Sequence, residues 1–286
     1  RAVQLGLPVE KALQMATIQP ARCYGLYQLG MIAPGRQADF VILDNVTDLN
    51  VVDVYHCGKK IIKDEKMEVK PCPPHLKNTV HVSGFSEERL KLKHSGEKAH
   101  VIQMLEKQIV TKHIIEEVPC AEKDGEKYFE SNEEYQKIAV IERHKNTGKM
   151  GVGIVKGYGI RGGAIASSVS HDSHNIIVVG DNDHDMALAV KEMIRTQGGY
   201  TLVCNGEIYG TLPLPVMGLM SDAGYESVNE ALARMIPKAH EMGVKDGFDP
   251  FITLSFMALP VIPEIRITPR GIYLVNEDRM LRTPFS

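Results

Sequence analysis

The chain has 286 residues, 43% of them hydrophobic, which is enough for about two domains and a packed core. Its formal charge of −3, with 33 basic and 36 acidic side chains spread along the sequence, offers no basic stripe for nucleic acid or an anionic membrane, so small-molecule chemistry is the expected class. The five cysteines are odd in number and form no Cys-x-x-Cys pair, which argues against a disulfide framework or a thiolate zinc knuckle, and no apolar run approaches the ~20 residues of a membrane span; the expectation is a soluble, cytoplasmic protein with reduced thiols.

The chain opens on Arg1 and runs directly into a helical pattern, which reads as a piece of a longer protein. Apolar residues Val9, Ala12, Leu13, Ala16 and Ile18 keep near a helical period, and Pro20-Ala21-Arg22 starts a second short helix ending at Gly25. From Leu29 the texture changes. Ala38 to Asp44, Val51 to Tyr55 and Lys59 to Ile62, with Cys57-Gly58 as a turn, predict a small all-β module over residues 27 to 65. Lys70 to Pro74 reads as a linker.

Beyond it, Thr79 to Ser83, Leu90 to Lys93, His100 to Leu105, His113 to Val118 and Ile138 to Ile141 have the texture of strands. Ile176 to Val179 is a short buried strand. The aspartates and asparagine at 181 to 183 can cap a helix whose apolar positions Met186, Ala189, Val190, Met193 and Ile194 share one face and whose end is marked by Gly198-Gly199. Tyr200 to Cys204, Asn205-Gly206 and Glu207 to Leu212 predict a hairpin with a type I′ turn, and a further helix is expected over about Glu226 to Glu241.

Gly157, Gly159 and Gly162 match G-x-G-x-x-G, with Asp181 downstream at the dinucleotide spacing. No crossover helix fits between Gly163 and the next strand, so these glycines are expected to serve tight turns and close backbone approach. The polar run Ser170-His171-Asp172-Ser173-His174-Asn175 stands directly before the apolar strand at 176. Such a run is either a satisfied polar network or part of a site offering a ligand, a general base or an imidazole oriented by a carboxylate. Glu142-Arg143-His144 likewise follows a strand end and is either site or salt-linked turn. Asp181, Asp183, His184 and Asp185 read as helix capping. No His-x-His occurs, and no other pattern assembles the ligands of a catalytic divalent metal.

Two stretches carry a family resemblance. Residues Leu7 to Arg22, followed by Leu29 to Asp44, resemble the end of the amidohydrolase superfamily, where the last barrel helix hands over to a small β-sandwich. Glu142-Arg143-His144, Gly153 to Gly159, Gly163 to Ala166, His171 to Asn175, Leu212 to Met220 and Asp249 to Glu264 resemble the C-terminal domain of bacterial adenine deaminases. The resemblance implies an α+β chain with residues 1–26 as a remnant helix of a (β/α)₈ barrel, 27–72 as a β-sandwich portion, and 73–286 as a mixed α/β C-terminal domain.

It also implies a complete enzyme that hydrolyses adenine to hypoxanthine and ammonia in purine salvage with manganese or iron; a homo-oligomer is expected on a separate ground, that the apolar face of the Pro8 to Cys23 helix, without barrel partners, is covered by another copy or is poorly ordered. The family's metal ligands and catalytic aspartate lie in the barrel upstream of Arg1, so no metal ligand carries over and this chain alone is expected to be inactive. Within the portion present, His171, Asp172, His174 and Asn175 are the candidates for active-site roles, and Arg143, His144 and Lys156 for substrate contacts. The alternative is a structural or oligomerisation module, or the tail of another amidohydrolase such as a cyclic amidase or a different purine deaminase.

Overall fold

The computed structural model describes residues 1–61, 71–96 and 98–285. The chain forms two compact units, Arg1–Pro71 and Cys72–Ser286. The first holds helices α1 (Val9–Ala16) and α2 (Ile18–Cys23), then strands β1 (Phe40–Leu43), β2 (Val51–His56) and β3 (Lys59–Ile61). These strands make an antiparallel sheet in the order β1-β2-β3, with Cys57 and Gly58 at φ 50° and 75°, the two left-handed residues that a tight hairpin turn needs. The expected strand end at Ile62, the module's end at 65 and the linker's first residue Lys70 lie outside the described residues.

The second unit is α+β. Its centre is an eight-stranded sheet built from β4 (Ala99–Met104), β5 (Thr111–Glu116), β8 (Tyr135–Ile141), β9 (Met150–Lys156), β10 (Gly163–Ser167), β11 (Ile176–Gly180), β12 (Gly199–Cys204) and β13 (Glu207–Pro213). A separate hairpin joins β6 (Cys120–Lys123) to β7 (Glu126–Phe129). The order across the large sheet is β13-β12-β10-β11-β8-β9-β4-β5, antiparallel except where β4 meets β9. Helices α3 (Asp183–Thr196), α4 (Tyr225–Glu241) and α5 (Ile252–Ser255) follow in sequence, and a small antiparallel sheet of β14 (Ile265–Thr268), β15 (Gly271–Leu274) and β16 (Arg279–Leu281) closes the fold.

Strand alternation sorts the core onto two faces. Ile138, Val140, Ile165, Ile177 and Val179 pack with Met235 and Ala239 of α4, with Phe251 and Leu254, and with Ile267 and Ile272 of the small sheet. On the other face Ala139, Ala164, Ala166, Ile176 and Val178 meet Met186, Ala189, Val190 and Met193 of α3. The alanines allow α3 to approach closely, and a Cβ at Gly180 would stand 2.6 Å from Met186 Cγ. As expected, α3 begins at Asn182, whose Oδ1 accepts the Asp185 N–H at 2.8 Å.

Two expected strands are absent. Thr79 to Ser83 pairs with no strand, because its backbone bonds go to loop and side-chain partners: the His81 N–H to the Arg143 carbonyl and the Val80 N–H to Gln197 Oε1. Leu90 ends a short 3₁₀ helix, Glu87–Leu90, and only Lys93 makes an isolated bridge, to Tyr128. The glycine run behaves as the missing crossover helix requires: Gly163 opens β10, and the Asp181 carboxylate accepts the N–H groups of Gly162 and Gly163 at 2.5 and 3.0 Å.

The small sheet lies against β9 at glycines. A Cβ on Gly151 would run into the Thr268 carbonyl oxygen and lie 2.9 Å from the Gly271 nitrogen, both backbone atoms that cannot rotate away. Gly151→Ala is therefore expected to destabilise the fold by roughly 1–3 kcal/mol. Gly96→Ala, whose nearest neighbour would be 3.7 Å away, serves as control and should shift stability by less than about 0.5 kcal/mol. Urea midpoints of the two variants check this.

Candidate functional site

β8 and β11 run antiparallel with Ile141 opposite Ile176, so the residues that follow the first and precede the second emerge at one end of the sheet. This brings Glu142-Arg143-His144 beside His171 to Asn175. The Asn175 side chain joins them directly: its Oδ1 accepts the Arg143 N–H at 3.3 Å and its Nδ2 donates to Ser173 Oγ at 3.0 Å. His144 Nε2–H donates to the Ser173 carbonyl at 2.6 Å from an exposed position.

The 171–175 segment is a turn fixed by its own backbone, with the His174 N–H on the Ser170 carbonyl at 2.5 Å and the His171 N–H on the Ser255 carbonyl at 2.9 Å. The rings of His171 and His174 meet edge-on with centroids 5.6 Å apart, and His171 leans on Phe256 at 5.2 Å. Asp172 and Ser173 are exposed, His171 and His174 half-buried, Asn175 buried. Ser170 Oγ, Thr79 Oγ1 and His174 Nδ1 are buried without a hydrogen-bond partner among the described residues. A donor or acceptor left bare inside a fold costs about 1–3 kcal/mol, so these atoms are the part of the loop that the fold itself does not explain.

Arg143 sits beneath the loop, 1% exposed. Its Nε–H donates to the His174 carbonyl, one Nη to the Met217 carbonyl at 3.0 Å and the other to the Thr79 carbonyl at 3.4 Å. Gly218 gives it room, since a Cβ there would lie 2.7 Å from Nη1. Burial pulls the guanidinium down to about 10, against the pull of the neighbouring Glu142 carboxylate, yet it stays charged at neutral pH. Arg143 thus ties three segments that are far apart in sequence. Its donors are turned to backbone, not to the solvent side of the loop.

Glu142 organises the other strand end. Burial raises its carboxyl, but the N–H groups of Thr147, Lys145 and His144 and the Thr147 hydroxyl all donate to it and hold it down at about 2. For His174 burial comes first, then the positive neighbours His171 and Arg143, and together they lower its pKa despite Asp172.

Lys156 does not join this group. It ends β9 opposite Tyr135, whereas Met150 at the other end of β9 faces Ile141, so seven strand residues, roughly 20 Å, separate it from Arg143. There Lys156 Nζ bonds Glu116 and the Tyr135 hydroxyl at 2.9 Å and Glu134 at 3.1 Å, at a cleft of about 310 Å³ that Lys245 also lines. Burial disfavours its charge, but these three partners outweigh it and raise its pKa.

The loop's two imidazoles and one carboxylate do not gather into a group of three metal-ligand atoms. Among the described residues only Asp39, His56 and Cys57, in the first unit, do so. A catalytic metal therefore has no fitted site at 171–175. Ser170 belongs to the polar run that the sequence marks, whereas Thr79, in an expected strand, and Phe256, in an apolar stretch, carry no local signal of a place beside it.

Two outcomes follow from this geometry. Replacing Arg143 with Met strands three carbonyls and should cost roughly 3 kcal/mol or more, and Arg143→Lys should recover little, because one ammonium cannot span three directions; chemical denaturation of each variant measures it. Since folding lowers the His174 pKa, the unfolded chain takes up the proton first as the pH falls below about 6.5, so this contribution to stability is present above that pH and lost below it. His174→Gln should flatten that part of the stability profile, read from urea midpoints against pH.

Comparison with known proteins agrees with the order of these features along the chain. The adenine deaminase C-terminal domain matches residues 108–279 and the amidohydrolase family residues 2–80. An adenine deaminase of Desulfitobacterium hafniense (strain Y51) is 50% identical over 282 residues, which is 99% of this chain and 49% of the relative. Those of Nitratidesulfovibrio vulgaris (strain DP4) and Clostridium acetobutylicum are each 42% identical, covering 96% and 98% of this chain and 48% and 50% of their own lengths. The chain spans about half the length of the curated relatives it matches. With the C-terminal-domain match running from β5 through β15, and an amidohydrolase stretch ahead of it, the chain belongs to the adenine deaminase family.

Proposed function

We propose that this chain is the C-terminal half of an enzyme that hydrolyses adenine to hypoxanthine and ammonia in cytoplasmic purine salvage, and that the 171–175 loop forms part of its active site. The observation that carries the second statement is the set of bare polar atoms at one sheet end: His174 Nδ1 and Ser170 Oγ, buried and unpartnered within this chain. Relatives named adenine deaminase over nearly its whole length support the first.

In the complete enzyme a divalent metal, manganese or iron, would supply the activated water. The ligand atoms of the 171–175 loop do not gather around a position for such an ion. What these side chains offer is recognition. A neutral His174 imidazole presents one donor and one acceptor, the pairing that the ring nitrogens and exocyclic amine of a purine require, and the His171 ring packs edge-on beside it. Asp172 and Asn175 would orient the loop, and His144 borders it. Arg143 would act on substrate only indirectly, by holding the His174 backbone. The Lys156 cluster lies at the far sheet end and has no part in this reading. Homo-oligomerisation would cover the apolar side chains Leu13, Met15, Leu26 and Ile32, which are exposed in the first unit.

The test is kcat/KM for adenine in the complete enzyme loaded with manganese, comparing unmodified protein with a folded His171→Ala variant. The expected fall is about a hundredfold or more, near 2.7 kcal/mol of transition-state stabilisation. Unchanged kcat/KM with unchanged thermal stability would remove the loop from the active site and leave it to folding or assembly. Inactivity of the unmodified enzyme toward adenine would overturn the substrate.

A further inference from the structure

In the first unit the hairpin between β2 and β3 brings together three side chains that the deamination reading does not use. Cys57 Sγ lies 3.7 Å from His56 Nε2, and the opposite ring nitrogen, Nδ1, lies 3.1 Å from Asp39 Oδ1. The carboxylate is itself fixed, accepting the Cys57 N–H at 2.7 Å and the Gln37 amide at 2.6 Å. The order is thiol, imidazole, carboxylate, with each ring nitrogen facing one partner. A single metal ion is a poor fit, because the sulfur and the carboxylate address opposite nitrogens of the ring as it stands. The same order is the arrangement that activates a nucleophile: a base beside the thiol and an acid group holding the base in the right tautomer.

The sequence explains how it forms. Cys57 occupies a left-handed turn position, φ 50°, which projects its exposed side chain from the hairpin tip, and the adjoining His56 ends β2. Asp39 stands just before β1, whose Phe40 pairs with Tyr55, so the register of β1 on β2 sets the carboxylate opposite the imidazole.

We propose that Cys57 is a reactive thiol and a site of modification by low-molecular-weight disulfides, with His56 as proton acceptor and Asp39 as its orienting carboxylate. In the exchange Cys57 passes its proton to His56 Nε2 and its sulfur attacks one sulfur of the disulfide. The new S–S bond forms as the old one breaks, and the departing thiolate takes the proton back from the imidazolium. Cys57 is oxidised to a mixed disulfide and the other half of the reagent is reduced to a free thiol.

The chain contains its own controls. Cys23 and Cys120 are also exposed, and among the described residues neither has an imidazole within bonding distance. The folded protein is incubated with oxidised glutathione at pH 7, and the rate of mixed-disulfide formation at each cysteine is read by peptide mass spectrometry. Cys57 is expected to react about tenfold faster than Cys23 and Cys120, and His56→Gln, a change at an exposed side chain, should bring it to within about twofold of them without altering theirs. Asp39→Asn, which keeps an acceptor for the Cys57 N–H but removes the charge, should give an intermediate rate. Equal rates at the three cysteines of the unmodified protein, or a Cys57 rate untouched by His56→Gln, would overturn the proposal.

Discussion

The central strands of the large sheet are buried on both faces, and that constraint decides where this domain can keep chemistry. Every residue of β8, β10 and β11 is inside, with α3 covering one side and α4, α5 and the small sheet the other. A polar side chain within such a strand would be desolvated without water to replace its bonds. Polar groups are therefore pushed to the strand ends, and the two ends are built differently. At one, Lys156, Glu116, Glu134 and Tyr135 satisfy one another. At the other, His174 Nδ1 and the hydroxyls of the neighbouring Ser170 and Thr79 are left bare.

The second end is held by an unusual device, a buried arginine whose bonds go to carbonyls and not to a carboxylate. A buried cation with no carboxylate bonded to it is costly, and burial lowers the Arg143 pKa despite the nearby Glu142, but its fork of donors reaches His174, Thr79 and Met217 at once. Three loop segments with no ladder partners would otherwise have to bury those carbonyls unpaired. The charge thus substitutes for the secondary structure that the segment around Thr79 lacks. Gly218, which must leave space for the guanidinium, and Asn175, which accepts the Arg143 N–H, belong to the same arrangement.

Strong local patterns in the sequence translated directly. The 186–194 apolar face and the Asn182 cap became α3, and Asn205-Gly206, at φ 50° and 81°, became the tight turn between β12 and β13. Asp124-Gly125 carries the same turn signal between β6 and β7, and Ile265 to Leu274 carries alternation around a short turn. Thr79 to Ser83 misled because an alternating segment such as Val80-His81-Val82 looks alike whether its backbone bonds a strand or a loop carbonyl and a half-buried side chain. At the site, the coming together of 142–144 with 171–175 followed from adjacent strands, but the separation of Lys156 did not, because strand order and direction are not written in the local pattern.

By itself, then, the sequence determined the local elements, the two-faced apolar strands and the family resemblance, all of which depend on residue types within a few positions of one another. The tertiary structure decided which polar groups are neighbours. It turned Arg143 inward to brace the loop, moved Lys156 to the opposite end of the sheet, and set Asp39 beside His56 and Cys57 across 18 residues of chain. Those outcomes rest on strand register and on the need to pair every buried polar group, and both are settled only when distant segments meet.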